Sequence, residues 1–177
     1  MLSIGKKFPE FAKKAVVSTE PGKEFTTLIL NDLLNGKWSV MFWWPKDFTF
    51  VCPTEITGFN DHFDAFQNLD TNLIGASTDS EYVHLAWREN HPGLKKLRFP
   101  MLADTSKSLS EDLGILEADE KIAYRVTYII DPDGIIRWVC ANDISVGRNV
   151  PEVIRVLEAL KTGALTPCGW EPGQATL

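Results

Sequence analysis

The run Trp38-Ser39-Val40-Met41-Phe42-Trp43-Trp44, stopped by Pro45, constrains this chain more than any other stretch. Residues 40–44 are wholly apolar, brief, aromatic-rich and closed by a breaker, which suits a buried strand better than a helix. Downstream, Ile56, Phe59, Phe63 and Phe66 recur at helical spacing. Pro53 fits the first helical position, where its missing N–H costs nothing, so Cys52 is expected at or next to the N-cap.

Further along, Asn72-Leu73-Ile74-Gly75-Ala76-Ser77 reads as a second buried strand. Thr78-Asp79-Ser80 supplies a cap for a short helix carrying Tyr82, Val83, Leu85, Ala86 and Trp87. Pro92, Gly93 and Pro100 break residues 91–100 into a loop, after which Ser106 or Ser108 can start a helix that ends at Gly114. Residues 124–130 alternate and branch like a strand, Asp131-Pro132-Asp133-Gly134 is a turn signal, and residues 135–140 return as the other arm of an antiparallel hairpin. Val150, Val153, Ile154, Leu157 and Leu160 mark a last amphipathic helix stopped by Gly163. Beyond it, the breaker-rich Leu165-Thr166-Pro167-Cys168-Gly169-Trp170-Glu171-Pro172-Gly173 is expected to be extended or mobile. Strand and helix alternating, then a hairpin, then a helix is the order of a thioredoxin-like α/β fold: a central mixed sheet flanked by helices, with an extended C-terminal tail. The division expected is a domain over 1–160 and a tail over 161–177.

A chain of 177 residues can bury roughly 70% of its unfolded surface, so a core is available without staples. Cys52, Cys140 and Cys168 are too few and too scattered for a disulfide framework, and no two form a C-x-x-C pair. The N-terminus lacks a stretch of secretory length and no segment approaches the ~20 apolar residues a bilayer requires, so a cytoplasmic protein with no membrane partner is expected. A net charge of −6 with dispersed basic residues argues against nucleic acid as a partner.

A cysteine in the first turn of a helix feels unpaired backbone N–H groups and the positive end of the helix dipole, and both favour the nucleophilic thiolate. Pro45 and Pro53 stiffen the loop around Cys52, and the Thr49 hydroxyl can donate and accept hydrogen bonds. A peroxide requires such a setting: an ionised sulfur, an attacked oxygen held in line, and donors for the negative charge that develops on the departing oxygen. Arg125 opens a predicted central strand, an unusual place for a permanent charge unless something pairs with it. Read from residues alone, Arg125 fits a structural ion pair with an acid better than a site role, and Arg148 is a weaker candidate still. Cys140, inside an apolar strand, fits an inert buried thiol, whereas Cys168 on a polar tail is a redox candidate. His62, His84 and His91 lack metal spacing and are expected on the surface or on helix faces. The tryptophans are expected to pack the core and interfaces, with Trp43, Trp44, Trp87 and Trp170 also near a dimer surface or the site.

The stretch Pro45-Lys46-Asp47-Phe48-Thr49-Phe50-Val51-Cys52-Pro53-Thr54-Glu55 resembles the active-site signature of typical 2-Cys peroxiredoxins of the alkyl hydroperoxide reductase C group. The resemblance extends in collinear order through Ser77-Thr78-Asp79-Ser80, Phe99-Pro100-Met101-Leu102-Ala103-Asp104, Tyr128-Ile129-Ile130-Asp131-Pro132, Val146-Gly147-Arg148 and Gly169-Trp170-Glu171-Pro172-Gly173. It implies that Cys52 is the peroxidatic cysteine, with Thr49 and Arg125 completing the peroxide site, Pro45 shielding the sulfenate and Glu55 helping to hold the arginines. It implies that Cys168 is the resolving cysteine, serving Cys52 of a partner chain through an intersubunit disulfide. A homodimer assembling into a decamer is implied, with a hydroperoxide as substrate and a thioredoxin-like protein or flavoprotein disulfide reductase as electron donor. No cofactor or metal is implied. The resolving cysteine stands two residues before Trp170 rather than the more usual four, and the chain lacks a Gly-Gly-Leu-Gly insertion and a Tyr-Phe tail helix, which together predict resistance to sulfinic acid formation. The other function weighed is protein binding, as a redox-dependent chaperone or peroxide-signal relay; exchange on protein disulfides is disfavoured by the missing C-x-x-C.

Overall fold

The structure is a computed structural model describing residues 1–177. Its elements are β1 (Ala12–Val16), β2 (Phe25–Ile29), α1 (Leu30–Leu34), β3 (Trp38–Trp43), α2 (Val51–Asp61), α3 (Phe63–Asn68), β4 (Thr71–Ser77), α4 (Glu81–Asn90), β5 (Met101–Ala103), α5 (Ser108–Leu113), β6 (Arg125–Ile130), β7 (Ile136–Asn142) and α6 (Val150–Thr162). The strands form one mixed sheet in the order β2-β1-β5-β4-β3-β6-β7. The β3–β4 and β4–β5 pairs are parallel, and the remaining pairs antiparallel. This is the thioredoxin-like arrangement of sheet and flanking helices.

Alternation along β3 divides the core. Val40, Phe42 and Trp44 enter a cluster with Ile56, Phe59, Phe66, Trp87, Val153 and Leu157, on the face covered by α2, α3, α4 and α6. Met41 and Trp43 enter the opposite cluster with Phe8, Leu30, Leu113 and Tyr128. A strand sandwiched between two such layers has no polar face, which is why its sequence reads as a continuous apolar run. Phe42 stacks on Phe59 with ring centroids 3.9 Å apart, fastening α2 to the sheet. Gly75 makes that packing possible: a Cβ there would stand 2.7 Å from the Trp44 ring and 3.1 Å from Phe42.

The helix ends obey their caps. Ser80 accepts from the Val83 N–H, Asn149 accepts from the Glu152 N–H, and Gly114 and Gly163 close α5 and α6 in the left-handed conformation. The Asp131 carboxylate accepts from the N–H groups of Asp133 and Ile135, building the turn between β6 and β7. No helix is long and apolar enough to cross a membrane.

The structure corrects the sequence reading in several places. The helical spacing of Ile56, Phe59, Phe63 and Phe66 is carried by two helices, and at the break the His62 ring Nδ1 donates to the Gly58 carbonyl, the group a continuing helix would bond through the His62 N–H. Helix α2 begins at Val51 with Phe50 as its cap, so Cys52 lies inside the first turn and Pro53 at the third helical position. Pro53 is still tolerated, since the first four N–H groups of a helix lack partners within it. Helix α6 runs from Val150 to Thr162. The tail beyond it folds back instead of extending: Trp170 is buried, Arg155 Nη1 donates to its carbonyl at 2.9 Å, and Leu177 N–H donates to the Leu165 carbonyl. Trp43, Trp44 and Trp87 are core residues and offer no dimer surface, while Trp44 and Trp87 do lie against the loop that leads to Cys52.

Candidate active site

Strand β3 delivers the chain to Pro45, and residues 45–50 turn it into α2. The turn is tight enough to force Phe48 to φ 57°, a left-handed conformation that side-chain-bearing residues seldom adopt. A buried network beneath holds it. Trp44 Nε1 donates to Asp47 Oδ1 at 2.7 Å, His84 Nδ1 lies 2.6 Å from Asp47 Oδ2, and the Asp47 N–H donates to Asp79 Oδ2 at 2.9 Å. His84 is wholly buried, contrary to the sequence expectation. Its Nε2 faces the Leu102 carbonyl at 3.2 Å and must carry the proton there, since a carbonyl only accepts. Burial pushes the Asp47 carboxyl up, against the lowering influence of His84.

Cys52 follows in the first turn of α2. The residue is only 1% exposed, but it lines the floor of a cleft of about 510 Å³. Pro45, Thr49, Phe50, Arg125 and Ile144 line the same cleft. Arg125 Nη1 donates to Cys52 Sγ at 3.3 Å and to Glu55 Oε2 at 2.6 Å, while its Nε donates to the Ile144 carbonyl at 2.7 Å. The guanidinium is thus fixed from three directions, with a charge against the sulfur. Glu55 also receives Arg148, whose Nε and Nη2 reach Oε1 at 2.8 Å and Oε2 at 3.0 Å. The Arg148 guanidinium covers the Phe42 ring, 5.1 Å from its centroid. One buried carboxylate therefore orders two guanidiniums, a satisfied cluster of the kind that survives burial.

Thr49 is half-buried, and its hydroxyl donates to the Lys46 carbonyl at 2.9 Å. With its proton committed there, the oxygen presents lone pairs to a guest in the cleft. Pro45 is buried in the wall. Four of the five residues singled out from sequence therefore converge: Cys52, Thr49, Arg125 and Pro45. Cys168 does not join them within this chain. It is exposed and lines a separate surface hollow with Arg137 and Arg155. Cys140 sits half-buried on β7, its thiol pushed up by burial.

Sequence reasoning undervalued Arg148 and missed the loop at 117–120, whose Glu117, Asp119 and Glu120 rim the cleft. No local signal marks a residue that reaches a site from a distant loop. The resemblance already implied that Glu55 helps to hold the arginines, and the contacts identify them as Arg125 and Arg148.

The AhpC/TSA family model matches residues 4–139. The alkyl hydroperoxide reductase C of Mycobacterium tuberculosis is 47% identical over 185 aligned residues, spanning 100% of this chain and 94% of the relative. Among solved structures, Mycobacterium bovis AhpC superposes with a TM-score of 0.87 at 45% identity, covering 97% of this chain and 99% of the other. The reduced 2-Cys peroxiredoxin of Plasmodium vivax superposes with a TM-score of 0.91 at 31% identity, covering 99% and 93%. A match over the whole fold, with a cysteine and a guanidinium in contact at the floor of its cleft, places this chain in the AhpC/TSA family of peroxiredoxins.

Proposed function

We propose that this chain is a thiol peroxidase in which Cys52 attacks the peroxide, Arg125 and Thr49 hold it, and Cys168 of a second copy resolves the product. The observation that carries the reading is the donation from Arg125 Nη1 to Cys52 Sγ, made by a guanidinium that Glu55 and the Ile144 carbonyl keep from moving.

In the first step the Cys52 sulfur, as thiolate, attacks the terminal oxygen of ROOH. The S–O bond forms, the O–O bond breaks, and RO⁻ leaves and takes up a proton as ROH, so sulfur is oxidised to a sulfenic acid and the peroxide is reduced. Thr49 accepts from the O–H of the attacked oxygen, since its own proton is engaged by Lys46. Arg125 donates where negative charge gathers, and the α2 first-turn N–H groups, left without a side-chain cap, add to that field. Pro45 walls the cleft and limits water around the nascent sulfenate.

In the second step the Cys168 thiol condenses with the sulfenic acid, releasing water and forming the disulfide. Cys52 is 1% exposed, so the step requires the first turn of α2 to open before a thiol from a second copy can reach the sulfur. A dithiol donor, a thioredoxin-like protein or flavoprotein disulfide reductase, returns both thiols by exchange. The assembly is a homodimer built further into a ring of ten, working in the cytoplasm.

Non-reducing electrophoresis after one equivalent of hydrogen peroxide tests this reading. Wild type and Cys140→Ser form the covalent dimer; Cys52→Ser and Cys168→Ser do not. A Cys52→Ser protein that still consumes peroxide with a dithiol donor overturns it.

A further inference from the structure

The cleft above Cys52 has a mouth of one prevailing sign. Lys46 stands on one side, and Glu117, Asp119 and Glu120 stand on the loop between α5 and β6. Lys46 is paired with Glu120. The Glu117 carboxylate accepts from the backbone N–H groups of Asp119, at 3.0 Å, and Glu120, at 2.7 Å. Those bonds hold its carboxyl below the ordinary value, which favours the anion. Lys121, next on the loop, attracts Glu117 more weakly and lies outside the lining. Three carboxylates thus meet Lys46 in the lining and Lys121 beside it, which leaves a small negative excess at the entrance.

Deeper in, the charges cancel. Arg125 and Arg148 are set against Glu55 and against the negative charge the attacking sulfur carries. The field met by an entering molecule is therefore that of the rim. The geometry points to a charge filter: the rim formed by Glu117, Asp119 and Glu120 makes Cys52 selective for uncharged hydroperoxides and electrophiles over those that carry a carboxylate. The inference rests on the reading of Cys52 as the attacking sulfur, and adds the substrate class of that same site. The carboxylates bind nothing themselves. An anion must come within about one Debye length, ~8 Å at physiological salt, of charge that is not neutralised. Clefts lined by one sign of charge change encounter rates by about 10 to 10³-fold, and a small excess of charge belongs at the low end of that range.

The test compares matched pairs on the reduced full-length protein. One pair is a tertiary hydroperoxide bearing a carboxylate and the methyl ester of the same molecule, read as kcat/KM. The other is iodoacetate and iodoacetamide, read as alkylation of Cys52 by peptide mass spectrometry. Each ratio is normalised to that of free cysteine, and Cys168 beside Arg137 and Arg155 serves as a reference on the same molecule. The expected preference for the neutral member at Cys52 is about tenfold at low ionic strength, shrinks as salt is added, and falls toward one in the Glu117→Gln, Asp119→Lys double variant. Cys168 shows no such preference.

A normalised ratio near one for wild type at low salt, or one that neither salt nor the double variant moves, overturns the filter while leaving the peroxidase reading intact. Failure to consume hydrogen peroxide itself overturns both, since the field then has no reaction to select, whereas a protein that reduces hydrogen peroxide but not the ester leaves the alkylation pair to decide the filter. If the double variant does not fold, the wild-type salt series decides alone.

Discussion

Cys52 and Cys168 are held in opposite ways. Cys52 sits in the first turn of a helix fastened to the sheet by stacked phenylalanines, against a guanidinium fixed by Glu55 and a backbone carbonyl. Cys168 sits exposed in a turn tethered by an Arg155 bond to the Trp170 carbonyl and by the burial of the Trp170 ring. The first arrangement suits a group whose surroundings must be in place before the peroxide arrives, because donors that need not reorganise stabilise developing charge best. The second suits a group that has to travel. In the proposed cycle the two cysteines share one reaction, yet one is held by packing and ion pairs and the other by a few surface contacts, a difference expected to show as different local stability.

The sharpest way to break this comparison is to remove the shared carboxylate. Glu55→Gln leaves two buried guanidiniums under-compensated and is expected to cost about 3–5 kcal/mol, read by urea unfolding. A loss below about 1 kcal/mol means that the cluster is not a rigid frame.

Next in size is Arg125→Met, which keeps bulk and removes the donor to sulfur. Peroxide consumption should fall about 10²–10³-fold in kcat/KM, as when one preorganised donor is lost. In contrast, Arg155→Ala on the tail should leave the rate of Cys52 oxidation by peroxide within about twofold and destabilise the fold by no more than about 1 kcal/mol, while raising protease cleavage after residue 163. Equal damage from the two arginine substitutions would erase the distinction between frame and tether.

Cys140 offers a smaller test. Burial raises its thiol, so at neutral pH it stays protonated and should be alkylated last of the three cysteines, catching up only in alkaline buffer.

The smallest effect concerns acid. Arg155 hydrogen bonds hold the Glu152 carboxyl below its ordinary value, so the contribution of this pair is complete above the unfolded Glu value of about 4.3 and is lost as pH falls through the lower folded one. Amide exchange around Trp170 should therefore be insensitive to mild acid, after correction for intrinsic rates, and should quicken only in strong acid.

Much of the fold was legible because the relevant signals are local. The apolar run of β3, the Ser80 and Asn149 caps, the Asp131 turn and the Gly163 stop each act within a few residues. Strands β1 and β2 escaped notice, since Ala12–Val16 carries two lysines and Phe25–Ile29 is only partly covered at the edge of the sheet. β5 is three residues long, too short for any periodicity to register. His84 was misjudged because a polar residue on a helix says nothing of the Asp47 that waits for it 37 residues away.

By itself the sequence determined the strand that anchors the sheet, the helix start that carries Cys52 and the family to which the chain belongs, because each is written in contiguous residues. Only the tertiary structure decided that Arg125 touches the sulfur directly, that Arg148 is the second guanidinium on Glu55, that a loop near residue 120 closes the cleft with negative charge, and that Cys168 rests elsewhere. These depend on where distant segments cross, and direct charge–charge and hydrogen-bond contacts form only over a few ångströms of space, whatever the distance along the chain.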